Sequence, residues 1–110
     1  MAKDLRFYVE RYADTNGDVF YIFPFKFENV DSETWSRLKN CASELGTRFS
    51  DTQLDKSTHD PDGNPWLFVT ARQFLEFEWD SENFDDFDRG MLAFLREVPE
   101  STRVILWWTF

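Results

Sequence analysis

The stretch "RVILWWTF", residues 103–110, decides the fold class because it is apolar on both of its faces. In a β-strand, successive side chains point to opposite sides of the sheet. One side carries Val104, Leu106, Trp108 and Phe110, and the other carries Ile105 and Trp107. A strand with two apolar faces needs a covering layer on each side. We therefore expect residues 103–110 to be covered on both faces, or nearly so.

Two further strands are expected near the start of the chain. "LRFYVERY", residues 5–12, alternates apolar with polar side chains, which is typical of a half-buried strand. "VFYIFPFKF", residues 19–27, follows after Asn16-Gly17, a dipeptide that favours a tight hairpin turn. The two strands should pair antiparallel. Pro24 has no N–H for a hydrogen-bond ladder, so the second strand should have an edge, a bulge or an end near it.

Two amphipathic helices are predicted. The first covers about 32–45, with Asp31 as its N-cap, Val30 and Trp35 as a hydrophobic staple and Gly46 as its left-handed stop. Its apolar stripe consists of Trp35, Leu38, Ala42 and Leu45. The second covers about 81–98 and opens with a similar staple and cap at Trp79, Asp80 and Phe84. Its stripe consists of Phe84, Phe87, Met91, Phe94, Leu95 and Val98.

The remaining strands lie between the helices. "DPDGNP", residues 60–65, is a turn signal that leads into "WLFVTA", residues 66–71. "QFLEFEW", residues 73–79, alternates apolar with acidic side chains and is interpreted as a fifth strand, bent away from the preceding one near Arg72. Together these elements predict one α+β domain over residues 1–110. It should have a mostly antiparallel sheet of about five strands, with the two helices packed on one face.

The composition favours a cytoplasmic protein with a rigid core. Thirteen Phe, five Trp and three Tyr supply ample apolar area without disulfides, and Cys41 is the single cysteine. The first residues lack the apolar segment of a secretory signal, and no apolar run approaches the roughly 20 residues that span a bilayer. We therefore expect no membrane association.

Few catalytic chemistries fit this sequence. One His and one Cys exclude a Cys/His zinc site within one chain, and no phosphate-binding glycine loop or nucleophile motif occurs. Cys41 is expected as a small apolar filler beside the first helix's stripe, and His59 as a solvated residue. Asp60, Asp62 and Asn64 resemble part of a calcium loop but are more typical of a turn around Gly63. Glu76 and Glu78 could form the carboxylate pair of a glycosidase, but a domain of 110 residues offers little room for a cleft that binds a sugar. We expect no enzyme activity, no cofactor and no metal.

Negative charge is concentrated in the second half of the chain. Residues 1–50 hold eight acids and seven bases, whereas residues 51–110 hold thirteen acids and five bases, so the halves carry −1 and −8 of the total −9. Such a field repels nucleic acid and anionic lipid, and it favours encounter with a basic protein.

The segment "FLEFEWDSENFDDFD", residues 74–88 and here called the acidic segment, holds seven carboxylates among five large aromatics. Glu82, Asp85 and Asp86 are explained in part by a helix N-terminus, where negative charge is favourable. Glu76, Glu78 and Asp80 should share one strand face, unless cross-strand Arg or Lys residues neutralise them. Asp88 should border the helix's apolar stripe, at the rim of an aromatic patch. The candidate partner-binding residues are Glu76, Glu78, Asp80, Glu82, Asp85, Asp86, Asp88 and Trp79.

The leading hypothesis is a small acidic inhibitor or immunity-type protein. Its partner would be a basic protein, such as a toxin, a nuclease or a nucleic-acid-binding enzyme, whose positive site it covers. One alternative is a structural subunit that forms a homo-oligomer through its aromatic strands. Another is a phage-encoded nucleic-acid mimic that inhibits a host defence enzyme. The sequence leaves monomer and homodimer both open.

Overall fold

A five-stranded antiparallel sheet organises the chain in the computed structural model, which describes residues 2–12, 19–49 and 56–110. Side chains are described for 2–10, 24–49 and 56–110. The strands are β1 (Ala2–Tyr12), β2 (Val19–Asp31), β3 (Ser43–Glu44), β4 (Leu67–Thr70) and β5 (Arg103–Thr109). The helices are α1 (Ser32–Cys41), α2 (Ala71–Glu76) and α3 (Asp86–Glu97). The strand order is β2-β1-β5-β4-β3, so the predicted α+β fold class is confirmed.

Strand β5 lies at the centre of the sheet, between β1 and β4. On one side, its residues Val104 and Leu106 belong to a core that also contains Leu38 of α1, Phe74 of α2 and Leu95 of α3. On the other side, a smaller aromatic cluster consists of Tyr8, Leu45, Phe49, Trp66 and Ile105. Both faces of β5 are therefore covered, as predicted. The helices pack together on one face, and residues 45–49 and 56–66 contribute to the other.

Strands β1 and β2 form the expected antiparallel pair, in which Tyr8 lies opposite Pro24. The Asn16-Gly17 turn lies outside the described residues. Strand β2 is at one edge of the sheet, as the missing N–H of Pro24 predicts. The strand is irregular near its end, where Asn29 has a φ of 57° and its N–H donates to Asp4 Oδ1 at 3.4 Å. This edge is therefore poorly shaped for pairing with another strand.

Helix α1 begins as predicted but ends four residues early. The Asp31 carboxylate accepts from the Thr34 N–H at 2.7 Å, and this bond holds the pKa of Asp31 below its usual value. The helix ends at Cys41, because Ala42 is extended and the next two residues pair with β4 as strand β3. Leu45 therefore packs on the opposite face of the sheet, and Gly46 does not terminate the helix. Cys41 is exposed and is not the apolar filler that its position suggested.

The predicted strand over 73–79 is wrong, because the chain forms helix α2 directly after β4. Thr70 accepts from the Gln73 N–H at 3.1 Å, and the Gln73 side chain accepts from the Thr70 N–H at 2.8 Å. This capping box starts a helix of only six residues. Phe77 is extended, but residues 77–80 are in no strand. The alternation of apolar and acidic residues does correspond to alternating burial, because Leu75, Phe77 and Trp79 are half-buried and the acidic residues between them are exposed.

The predicted helix over 81–98 is two separate elements. A 3₁₀ turn covers Ser81–Asn83, and α3 starts only at Asp86. Asp80 precedes the 3₁₀ turn without making a capping hydrogen bond, whereas Asp85 caps α3. No helix in the described part of the chain is long and apolar enough to cross a membrane.

Candidate partner-binding site

The acidic segment is divided among several elements, and its first carboxylate is neutralised. Glu76 lies on α2, where its carboxylate contacts Arg72 Nε at 3.0 Å. Arg72 also approaches Glu100 at 3.8 Å. The carboxylates raise the pKa of Arg72, chiefly through the hydrogen bond to Glu76. Glu76, Glu78 and Asp80 therefore do not share a strand face, and the predicted row of three uncompensated charges is corrected to two.

Glu78 and Asp80 are both exposed in the irregular stretch that follows α2, where the Trp79 N–H donates to the Phe77 carbonyl at 3.0 Å and the Ser81 N–H to the Trp79 carbonyl at 2.9 Å. Asp80 accepts a hydrogen bond from the Asn83 side chain at 2.7 Å, which is a neutral partner. Within the described residues, neither carboxylate forms an ion pair. Their negative charge is therefore available to a partner.

Trp79 is packed against the main core, so it is not an exposed anchor. Its indole Nε1 donates to the Phe74 carbonyl at 2.8 Å, and its ring contacts Phe27 edge-on at 5.2 Å between centroids. Trp79 holds the acidic stretch against the body of the protein. It therefore positions the exposed carboxylates of Glu78 and Asp80, which lie on either side of it.

The carboxylates at the start of α3 have local structural roles. Asp85 accepts from the Asp88 N–H at 2.9 Å, and Asp88 accepts from the Asp85 N–H at 3.1 Å. Asp86 pairs with Arg89, which also donates to the Phe84 carbonyl at 2.7 Å. Glu82 is exposed in the 3₁₀ turn. Both carboxylates accept a backbone N–H at the helix start, and their negative charge adds to the surface potential.

Two of the seven carboxylates in the acidic segment, Glu76 and Asp86, form ion pairs, and the other five form none with any described residue. The unpaired ones are Glu78, Asp80, Glu82, Asp85 and Asp88. Burial raises the pKa of Asp88 above its usual value, and the charges of Asp85 and Glu28 add to that rise, against the lowering effect of the Asp85 N–H.

Phe87 is the aromatic residue that the sequence interpretation misplaced. It was assigned to the buried stripe of the second helix, yet 80% of its surface is exposed. Along the same stripe, Met91, Phe94 and Leu95 pack into the core. The apolar stripe of α3 therefore extends one turn toward the N-terminus of the helix, to Phe87, where no described residue covers it. The sequence signal was its position between Asp86 and Asp88, which is unusual for a core residue.

An open groove of about 1090 Å³ lies beside Phe87, along edge strand β2. Its apolar lining includes Phe25, Phe87 and Met91, and its acidic lining is Glu28, Asp85 and Asp88. Two cations, Arg6 and Lys26, also line it. The candidate site, here called the Phe87 surface, is defined as Phe87 with the groove carboxylates Asp85, Asp88 and Glu28, together with the unpaired Glu78, Asp80 and Glu82 that precede them in the acidic segment.

The basic residues Lys26, Arg103 and Arg6 of the sheet contact other carboxylates or rings, and not the acidic segment. Lys26 approaches Asp4 and Glu28, at 3.9 and 3.5 Å. Arg103 forms a two-pronged ion pair with the buried Glu10, at 2.7 and 3.1 Å. Arg6 lies over the Trp107 ring at 5.4 Å. The side chain of Arg11 lies outside the described residues.

Other candidate chemistry has ordinary structural explanations. Asp60 accepts from the backbone of Asp62 and Asn64, and Asp62 accepts from the Trp107 indole at 2.8 Å. These bonds shape a turn in which Gly63 has a φ of +87°. His59 is exposed and bonds to Thr58. Within the described ranges, no group of three or more His, Cys, Asp or Glu side chains is arranged to hold a metal ion.

Comparison with protein-family models, curated proteins and solved structures found no match to this chain.

Proposed function

We propose that this protein is a small acidic inhibitor that binds a basic, nucleic-acid-acting enzyme and covers its positive site. The observation that carries the proposal is an exposed phenylalanine in a groove lined by Asp85 and Asp88, neither of which forms an ion pair with a described residue. In protein interfaces, an aromatic side chain supplies buried area while surrounding charges set orientation and association rate. The enzyme surface would contribute an apolar pocket for Phe87, rimmed by Lys and Arg.

The charge of the chain supports the same partner class. With a formal charge of −9, of which −8 lies in residues 51–110, the protein is attracted to basic surfaces at long range. A surface with several unpaired carboxylates presents negative charge to a site that normally binds the phosphates of nucleic acid. An immunity protein for a toxin and a phage inhibitor of a host defence enzyme would use the same surface. The identity of the captured enzyme distinguishes them.

The homo-oligomer alternative receives less support from the position of the aromatic strand β5. Both edges of β5 are occupied by β1 and β4, so it cannot pair with a second copy. Its large rings pack inside the chain, as in the stacked pair of Trp35 and Trp108 at 5.9 Å. We therefore propose a monomeric inhibitor that associates with a different protein.

Site-specific photo-crosslinking tests the proposal. A benzoylphenylalanine placed at position 87 should capture a basic protein in cells of the source organism. The same group at position 110, the other highly exposed phenylalanine, serves as the matched control. The proposal requires that the partner be captured from position 87 and that its purified form lose enzymatic activity when this protein is added. A partner captured equally from both positions, or one whose activity is unaffected, would reject the inhibitor.

Charge reversal tests the electrostatic part separately. Glu78→Lys should weaken affinity by about fivefold or more, equivalent to about 1 kcal/mol, and the effect should shrink as salt screens the surface. Glu33→Lys, on α1 outside the Phe87 surface, makes the same charge change and should have a smaller effect. Equal effects of the two variants would show that only total charge matters.

A further inference from the structure

The turn at residues 60–65 contains an aspartate followed by a glycine, Asp62–Gly63. In such a pair the backbone nitrogen of the glycine can attack the side-chain Cγ of the aspartate, because glycine has no Cβ to hinder the approach. A C–N bond forms, one carboxyl oxygen leaves as water, and the product is a cyclic succinimide. When water then breaks the bond between the ring nitrogen and the α-carbonyl carbon, the main chain runs through the side chain and the residue becomes isoaspartate.

Both reacting groups form hydrogen bonds in the folded turn. The Gly63 N–H donates to the Asp60 carbonyl at 3.0 Å, and the Asp62 carboxylate accepts from the indole Nε1 of Trp107 at 2.8 Å. The nitrogen can attack only after it gives up its proton, so its bond to Asp60 must break. The carboxylate must become part of the ring, so it must leave its position against Trp107. The folded turn therefore opposes the reaction at both atoms.

Asp60 closes the same turn through further hydrogen bonds. Its Oδ1 accepts from the N–H of Asp62 at 2.9 Å and from the N–H of Asn64 at 3.1 Å. Its own N–H donates to the Asn64 carbonyl at 2.7 Å, and His59 and Pro65 form a β-bridge at the base of the turn. Ring formation changes the backbone at Asp62, so several of these bonds must break together. The reaction therefore requires the turn to open locally.

Trp107 is a fixed anchor for this turn. It lies on the central strand β5, its ring contacts Trp66 edge-on at 6.1 Å between centroids, and Trp66 is buried. Asp62 and Gly63 are exposed, so the water that opens a succinimide can reach them. The indole is thus held by the body of the protein, and the turn is the part that can move away from it.

We propose that Asp62–Gly63 is a latent site of isoaspartate formation, and that the release of Asp62 from Trp107 controls the rate of this modification. The isoaspartate adds a methylene group to the main chain and removes the side-chain carboxylate from its place. The turn then loses its bond to Trp107 and its spacing against Asp60. This inference is independent of the proposed function and of the Phe87 surface.

Peptide mapping of the purified chain tests this inference. The protein is incubated at neutral pH, digested with a protease, and the peptides that contain Asp62 or its isoaspartate are separated by chromatography and distinguished by electron-transfer fragmentation. Isoaspartate at position 62 should form about tenfold or more faster in the urea-unfolded chain than in the folded protein. Asn16–Gly17, which reacts by the same route with loss of ammonia, is the positive control for the unfolded sample.

Two tryptophan variants separate the anchor from general stability. Trp107→Phe keeps an aromatic ring but removes the donor to Asp62, and it should speed the modification of the folded protein by about fivefold while leaving the rate in urea unchanged. Trp108→Phe is the matched control, because it removes the neighbouring indole's bond to the Val30 carbonyl at 2.9 Å and leaves the turn intact. Its rate of isoaspartate formation should equal that of wild type.

Each outcome decides one part of the inference. Equal rates in the folded and the unfolded wild-type chain would reject the latent site. A rate that Trp107→Phe does not raise, or that Trp108→Phe raises by the same factor, would reject Trp107 as the anchor. If Trp107→Phe does not fold, amide hydrogen exchange of wild type provides the second measurement. The Gly63 amide should then be protected by its bond to Asp60, and an unprotected amide would overturn the proposal.

Discussion

Phe74 and Phe87 both lie in the acidic segment, but replacing each by alanine should have very different effects on the free energy of unfolding. Phe74 is fully buried, and its ring lies 4.8 Å from the rings of both Phe7 and Trp79. Phe74→Ala therefore leaves a cavity in the core and should lower the free energy of unfolding by about 3–5 kcal/mol. Phe87 is 80% exposed, so only about a fifth of its surface is removed from solvent on folding.

The expected cost for Phe87→Ala follows from that small buried fraction. A phenylalanine has roughly 200 Å² of surface, so about 40 Å² is buried, which is worth about 1 kcal/mol at about 25 cal/mol per Å². Alanine's higher helix propensity in the first turn of α3 offsets about half of this. The free energy of unfolding should therefore fall by about 0.5 kcal/mol.

Urea denaturation followed by tryptophan fluorescence measures both variants under one set of conditions. The slope of the free energy against urea concentration should stay the same for Phe87→Ala, since the folded surface changes little. A loss of more than about 2 kcal/mol for Phe87→Ala would mean that its ring is covered within the chain. That result would refute the reasoning that leaves Phe87 free for a partner.

Three further variants test the local structure of the site. Asp85→Ala removes the cap of α3 and should lower the free energy of unfolding by about 1 kcal/mol, whereas Asp85→Ser should retain most of it in the same denaturation assay. Trp79→Phe removes the indole bond to Phe74 and should cost about 1–3 kcal/mol, with a negligible cost arguing against that bond. Asp88 has a raised pKa, so its charged form opposes folding and the favourable contribution of its neutral form is lost as pH rises through the folded pKa. Asp88→Asn should therefore be more stable than wild type near pH 7, and this difference in the free energy of unfolding should disappear as the pH falls through that pKa. A difference that grows at acidic pH would contradict the raised pKa of Asp88.

The sheet was predictable because its strands have clear periodicity or two apolar faces. Residues 5–12 and 103–109 are in strands as expected, and their pairing with neighbours sets much of the antiparallel order. The N-cap of α1 was also readable, because Asp31 precedes a regular apolar stripe. In these places local preference and tertiary packing favour the same structure.

The secondary-structure predictions were wrong at helix α2, which is too short to show a helical repeat in its sequence, and at the start of α3. Helix α2 spans fewer than two turns, so its residues cannot display a 3.6-residue repeat and the alternating pattern resembles a strand. The start of α3 was misplaced because Asp80 and Asp85 are both plausible caps, and only the reciprocal bonds with Asp88 select the second. That shift separates Phe84, which precedes the helix and is packed against the core, from the exposed Phe87.

The sequence was enough to identify the acidic residues of the candidate site, but not to predict their arrangement in space. The acidic segment was identified from its seven carboxylates, and five of them form no ion pair within the described residues. The groove also involves Arg6, Lys26 and Glu28, which lie more than forty residues before the acidic segment. Their proximity follows from the edge position of β2 beside α3, which no local pattern encodes.

The most direct test of a partner surface centred on Phe87 is the dissociation constant of the captured partner for two alanine variants. Phe87→Ala should weaken binding by about 30-fold or more, the equivalent of about 2 kcal/mol or more for a central interface residue. Phe110→Ala, which removes an equally exposed ring elsewhere, should leave the constant unchanged. Equal affinities of Phe87→Ala and wild type would contradict the account.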